Sequence, residues 1–212
     1  MMKITIPQSI RSRKEYKRKF NLAELYRAYL YAPRAIASLI RNKKNGLLDE
    51  QFIERLQLAV TEVNGCAACS YAHTRMALNK GMSNEEITAI LNGDDTVIKT
   101  EEAKAIMFAQ HFADTRGYPD RETYDEIVRE YGAEKAEIIL SAVQLMMVGN
   151  MYGIPYSAFI SRIKGRPYKD SSIVYEVWML TGGALCLPVA LVHSLLRWMM
   201  GRSNQPATIV AE

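Results

Sequence analysis

Cysteine is scarce in this 212-residue chain, with three in all, two of them in a single Cys-x-x-Cys. So small and odd a set excludes the disulfide framework of a secreted mini-scaffold. Strict alternation of β-branched residues is almost absent, and no internal repeat or low-complexity tract occurs, which argues against a sheet or a solenoid. Met1 to Arg13 holds no apolar run of the length a secretory signal needs, so a cytoplasmic setting with reduced thiols is expected. Charge of one sign is also missing in quantity: 27 Lys and Arg face 23 Asp and Glu, a net of +4. The excess gathers at Arg11, Arg13, Lys14, Lys17, Arg18 and Lys19 around Glu15. So mild a surplus is expected to form a solvated face, with no nucleic acid as partner.

The chain is rich in helix signals. An apolar fraction of 49% can bury the core of one domain, or of one domain with an appendage. Asn21 precedes Leu22, Leu25, Tyr29 and Leu30; Pro33 interrupts them, and Ile36, Leu39 and Ile40 read as a second short helix ending at Asn45-Gly46. Asp49 caps a segment with Ile53, Leu56, Val60 and Val63 at helical spacing, stopped by Asn64-Gly65. Cys66 to Asn79 reads as the next helix, closed by Lys80-Gly81, and Ser83 with Glu86 forms a capping box before another. Glu101 to Thr115, the run after Pro119-Asp120, and Ala136 to Met151 follow, the last expected to end at Gly153-Ile154-Pro155. The expected fold is all-α, a bundle of short helices over residues 1–163.

Lys164 to Lys169 turns basic and contains Pro and Gly, and marks the expected start of a C-terminal extension, residues 164–212. Within it Val177 to Leu196 carries no formal charge, with Tyr175, Trp178, Arg197 and Trp198 near its ends. That length could cross a bilayer. Gly182-Gly183 and Pro188 interrupt it and His193 lies inside it, so a core or subunit-interface helix is the preferred reading and membrane association the alternative.

Chemistry concentrates between Glu54 and His73. Spacings of three and four set Cys66, Cys69 and His73 on one stripe of a helix. Cys66 falls in the first turn, where free amides and the helix dipole favour a thiolate. His73, one turn beyond Cys69, can exchange its proton, which makes Cys69 the attacking sulfur. A sulfenic acid formed there can condense with Cys66, one turn away, to give a disulfide and water. Two antiparallel helices joined at Asn64-Gly65 bring residues about ten before and ten after the turn level with each other, which sets Glu54 beside His73 to orient it.

Glu54, Cys66-Ala-Ala-Cys69 and His73 resemble, in type and spacing, the active-site motif of the alkylhydroperoxidase AhpD-like and carboxymuconolactone decarboxylase-like family. The resemblance implies an all-helical fold, commonly a trimer or hexamer, with Cys69 attacking peroxide, Cys66 resolving, and Glu54 and His73 relaying protons. One position departs: Ala68 stands where these proteins often have His or Tyr. Members lacking the cysteines decarboxylate a lactone acid. The expected activity is reduction of a hydroperoxide, with an external dithiol restoring the pair and no flavin, haem or metal.

Two alternatives remain open: a general dithiol/disulfide oxidoreductase or redox sensor, and a membrane-associated assembly protein. A structural zinc wants four ligands, and Cys66, Cys69 and His73 offer three. A thioredoxin-like motif needs a preceding strand, and none is apparent. Cys186 reads as a small buried hydrophobe, His111 and His193 as structural or surface histidines, and Met146, Met147 and Met151 as core or interface packing.

Overall fold

Side-chain caps set most of the helix starts in the computed structural model, which describes residues 6–11 and 16–210. Every regular element among them is helical: α1 (Gln8–Arg11), α2 (Leu22–Asn45), α3 (Glu50–Asn64), α4 (Ala67–Asn79), α5 (Asn84–Leu91), α6 (Ala103–Asp114), α7 (Arg121–Tyr131), α8 (Ala133–Ile163), α9 (Ile173–Met199) and α10 (Ala207–Val210), with two short 3₁₀ turns before α6. Asn21, Asp49, Ser83, Asp120 and Ser172 each accept the amide three residues on, satisfying a donor that the first helical turn leaves free. Gly46 and Gly65 end α2 and α3 in the left-handed conformation.

Three stops expected from the sequence do not occur. α2 runs unbroken through Pro33, α8 through Gly153 and Pro155, and α9 through Gly182, Gly183 and Pro188. An interior proline costs about 3 kcal/mol. Burial outweighs it: each fully buried Leu or Ile contributes about 1.5–3 kcal/mol, and α2 alone buries Leu25, Tyr29 and Leu30 against its neighbours. The glycines allow close approach. A Cβ on Gly182 would lie 2.8 Å from Leu22, and one on Gly183 would lie 2.8 Å from Leu25 and 3.1 Å from Tyr152. Ser194 Oγ donates to the Leu30 carbonyl at 2.8 Å, so α9 runs alongside α2 in the same direction.

α3 lies at the centre, packed by α4, α5, α6 and α8. The helices α8 and α9 are each long and apolar enough to cross a membrane, and they differ in burial: 72% of the most apolar window of α8 is inside the fold, against 28% for α9. The outward face of α9 is apolar, with Trp178, Leu185 and Val192 exposed. Cys186 is half-buried, more open than its apolar surroundings in sequence suggest. His111 Nε2 lies 3.0 Å from Asp120 Oδ2 and His193 Nδ1 lies 3.0 Å from the Tyr26 hydroxyl, while the three methionines are core residues. In the N-terminal basic cluster Lys17 pairs with Glu62 and Arg18 with Asp114, which ties this segment to the bundle. Arg13, Lys14, Glu15 and the side chain of Arg11 lie outside the described residues, as do Met1 to Thr5.

Candidate functional site

The α3–α4 hairpin builds the site. Gly65 turns the chain with φ +73°, and a Cβ there would meet the Lys17 backbone nitrogen at 2.5 Å, so the tight passage requires glycine. Asn64, fully buried, donates through Nδ2 to Asn150 Oδ1 at 3.1 Å, and Asn150 in turn donates to Thr61 Oγ1 at 3.2 Å. This polar chain fixes the middle of α8 against the end of α3, directly behind the cysteines.

Cys66 and Cys69 are joined as a disulfide, with Cα atoms 5.3 Å apart. Cys66 is the N-cap of α4 rather than a residue of its first turn, and its Sγ accepts the Cys69 amide at 3.2 Å. Cys66 is fully buried and Cys69 is 7% exposed. α8 covers the sulfurs. A Cβ on Gly153 would lie 2.7 Å from Cys69 Sγ and 2.8 Å from Cys66 Sγ, and the Gly149 carbonyl oxygen lies 3.4 Å from Cys69 Sγ. Gly153→Ala should therefore destabilise the oxidised protein by about 1–3 kcal/mol, as overpacking does. Thermal melts should show a smaller loss after reduction, when the sulfurs can rotate away; equal losses in both states would refute a steric origin at the disulfide.

Glu54, 1% exposed, lies level with His73 as the hairpin geometry dictates, its Oε2 2.9 Å from His73 Nδ1. Its other oxygen accepts from Lys80 Nζ at 2.8 Å, and Gln51 Nε2 holds the Lys80 carbonyl at 2.7 Å. Burial pushes the Glu54 carboxyl up, but hydrogen bonds and opposite charge from His73 and Lys80 outweigh it and hold the group below its ordinary pKa. Lys80 is the member that sequence reasoning misses, because it reads there only as a helix stop. Ala68 is half-buried and brings no polar group to the site. Among the described residues no group of three or more His, Cys, Asp or Glu side chains is placed to hold a metal ion.

This arrangement can pass two electrons through a sulfur pair, with an imidazole held by an ionised carboxylate one helical turn beyond Cys69. Residues 24–110, from the first turn of α2 to within α6, match the model of the carboxymuconolactone decarboxylase family. That span contains Glu54, Cys66, Cys69, His73 and Lys80. No curated protein and no solved structure matches the chain.

Proposed function

We propose, from the match of residues 24–110 to the model of the carboxymuconolactone decarboxylase family, that the chain is a thiol peroxidase cycling through Cys69 and Cys66. The carrying observation is a buried sulfur pair at the start of α4 with a carboxylate-held imidazole one turn beyond. In the reduced protein Cys69 thiolate attacks the distal oxygen of a hydroperoxide. The O–O bond breaks, the alkoxide takes a proton to leave as alcohol, and Cys69 becomes a sulfenic acid. Cys66 sulfur then attacks Cys69 sulfur, forming the disulfide and expelling water. An external dithiol returns two electrons and two protons.

His73 serves as proton carrier, and Glu54 fixes its orientation through Nδ1, the role of a third group behind a catalytic base. Burial supports a small oxidant: a cysteine 7% exposed beside a fully buried one admits the narrow O–O end of a peroxide better than the disulfide of a folded protein. Direct mass measurement after stoichiometric peroxide tests the reading. The reduced protein should lose two hydrogens, and a reduced protein that left peroxide untouched would overturn it.

Lys80 acts as a positioning residue by keeping Glu54 ionised. Around this carboxylate stand His73 of α4 and Lys80 at the C-terminal cap of α4, and Glu50 lies one turn earlier on α3, 3.6 Å from Lys80. Arg55 pairs separately with Glu86 and Glu102, and Met147 and Asn150 of α8 meet α3 further along, at Asn64 and Thr61. A carboxyl with a depressed pKa keeps its charge above that pKa and loses it as pH falls through it. Lys80→Met removes one depressing partner, so the acid limb of the pH–rate profile should move to higher pH, with Lys80→Arg restoring it. Alkylation of reduced Cys69 by iodoacetamide should follow the same shift. Superimposable profiles for wild type and Lys80→Met would rule out this positioning role for Lys80.

A further inference from the structure

A groove of about 780 Å³ opens beside the disulfide, a volume in the range of small-molecule sites. Ala67 and Ala68, the two residues between the cysteines, line it at one end, and the small Ala68 leaves that end open. Tyr71, Tyr156 and Ile160 supply apolar walls, with Tyr71 and Tyr156 42% and 49% exposed. Lys164 and Arg166 stand where α8 ends. No Asp or Glu lines the groove, and neither cation has a carboxylate partner among the described residues.

The helix supplies a ruler. Gly153 of α8 touches the sulfurs, and Lys164 follows eleven residues later, which at the helical rise per residue is about 16 Å along the axis. A ligand bridging the two ends needs an anionic head, a slender apolar body and its reactive group far from the head. Small neutral peroxides meet only the sulfur end; they gain nothing from the cations.

We infer that the groove binds a long-chain hydroperoxy acid, its carboxylate on Lys164 and Arg166 and its mid-chain hydroperoxide toward Ala67 and Ala68. Guanidinium and ammonium groups give carboxylates charge-assisted hydrogen bonds, and Arg166 can do so with two parallel donors. The substrate class rests on the peroxidase reading, and the bound acid would leave as hydroxy acid after the step written above. The sign and position of the groove's charges rest on geometry alone.

Two measurements separate these claims. In the first, Cys69→Ser protein is titrated by calorimetry with a mid-chain hydroxy-octadecadienoic acid and with its methyl ester, below micelle-forming concentrations. The acid should bind at least about tenfold more tightly, and the preference should fall to within about twofold in Lys164→Gln/Arg166→Gln on the same background. Equal binding of acid and ester, or a preference that survives the double substitution, overturns the groove assignment. In the second, kcat/KM is compared for the hydroperoxy acid and its ester. An acid-to-ester ratio well above one that collapses in the double variant supports the substrate class. A protein that binds the acid selectively but turns over neither peroxide overturns the peroxidase reading and leaves the groove's ligand class standing.

Discussion

Cys69→Ser is expected to abolish peroxide consumption, by at least about three orders of magnitude in kcat/KM, because a hydroxyl at neutral pH is a far weaker nucleophile than a thiolate. Cys66→Ser is expected to behave differently. Its Cys69 can still attack once, so the protein should consume one equivalent of peroxide in a burst, gain the mass of one oxygen atom, and then stall or oxidise further. The asymmetry tests the division of roles, since both variants lose the disulfide equally. A Cys69→Ser protein that cleared peroxide at the wild-type rate would end the thiol mechanism. A burst seen only in Cys69→Ser would exchange the two roles.

Arg55→Met is expected to cost about 3–5 kcal/mol of stability at neutral pH, as breaking a buried ion pair from one side does. Arg55 is 1% exposed, with its Nε 3.0 Å from Glu86 and 3.3 Å from Glu102. Glu102 is itself 4% exposed, and burial raises its pKa despite the opposing charges of Arg55 and Lys99. Without Arg55 that carboxylate is stranded. A carboxyl whose folded pKa is raised contributes stability that is present below the unfolded pKa and lost as pH rises through the folded one. The variant should therefore recover part of its deficit at acid pH, and Glu102→Gln should recover part of it at neutral pH. Urea melts across pH measure both, and a deficit independent of pH and of Glu102 would locate the damage elsewhere.

The sequence makes the all-helical architecture readable because caps and stops are local. Asn21, Asp49, Ser83 and Asp120 each act within three residues of where they stand. The approach of Glu54 to His73 is legible for a related reason: one glycine turn and two short helices leave little choice of register. Lys80 is not legible, since its ammonium turns back over α4 to a carboxylate twenty-six positions earlier. The glycines mislead most. Gly153, Gly182 and Gly183 look like breaks, yet each marks where a second element needs the space of a missing Cβ, a fact that only the partner helix reveals. Pro33 and Pro188 mislead in the same way, because packing contributed by distant residues outweighs a local cost.

The hydrogen bond from the Cys69 amide to Cys66 sulfur gives the disulfide a direction. In the proposed cycle an incoming reductant would meet the cysteine that shows any surface, Cys69, and attach there. Cys66 would then depart as an anion already cradled by a backbone donor at the mouth of a helix. On that reading electrons enter through one fixed door, and the two ends of a chemically symmetrical bond are made unequal by the peptide backbone.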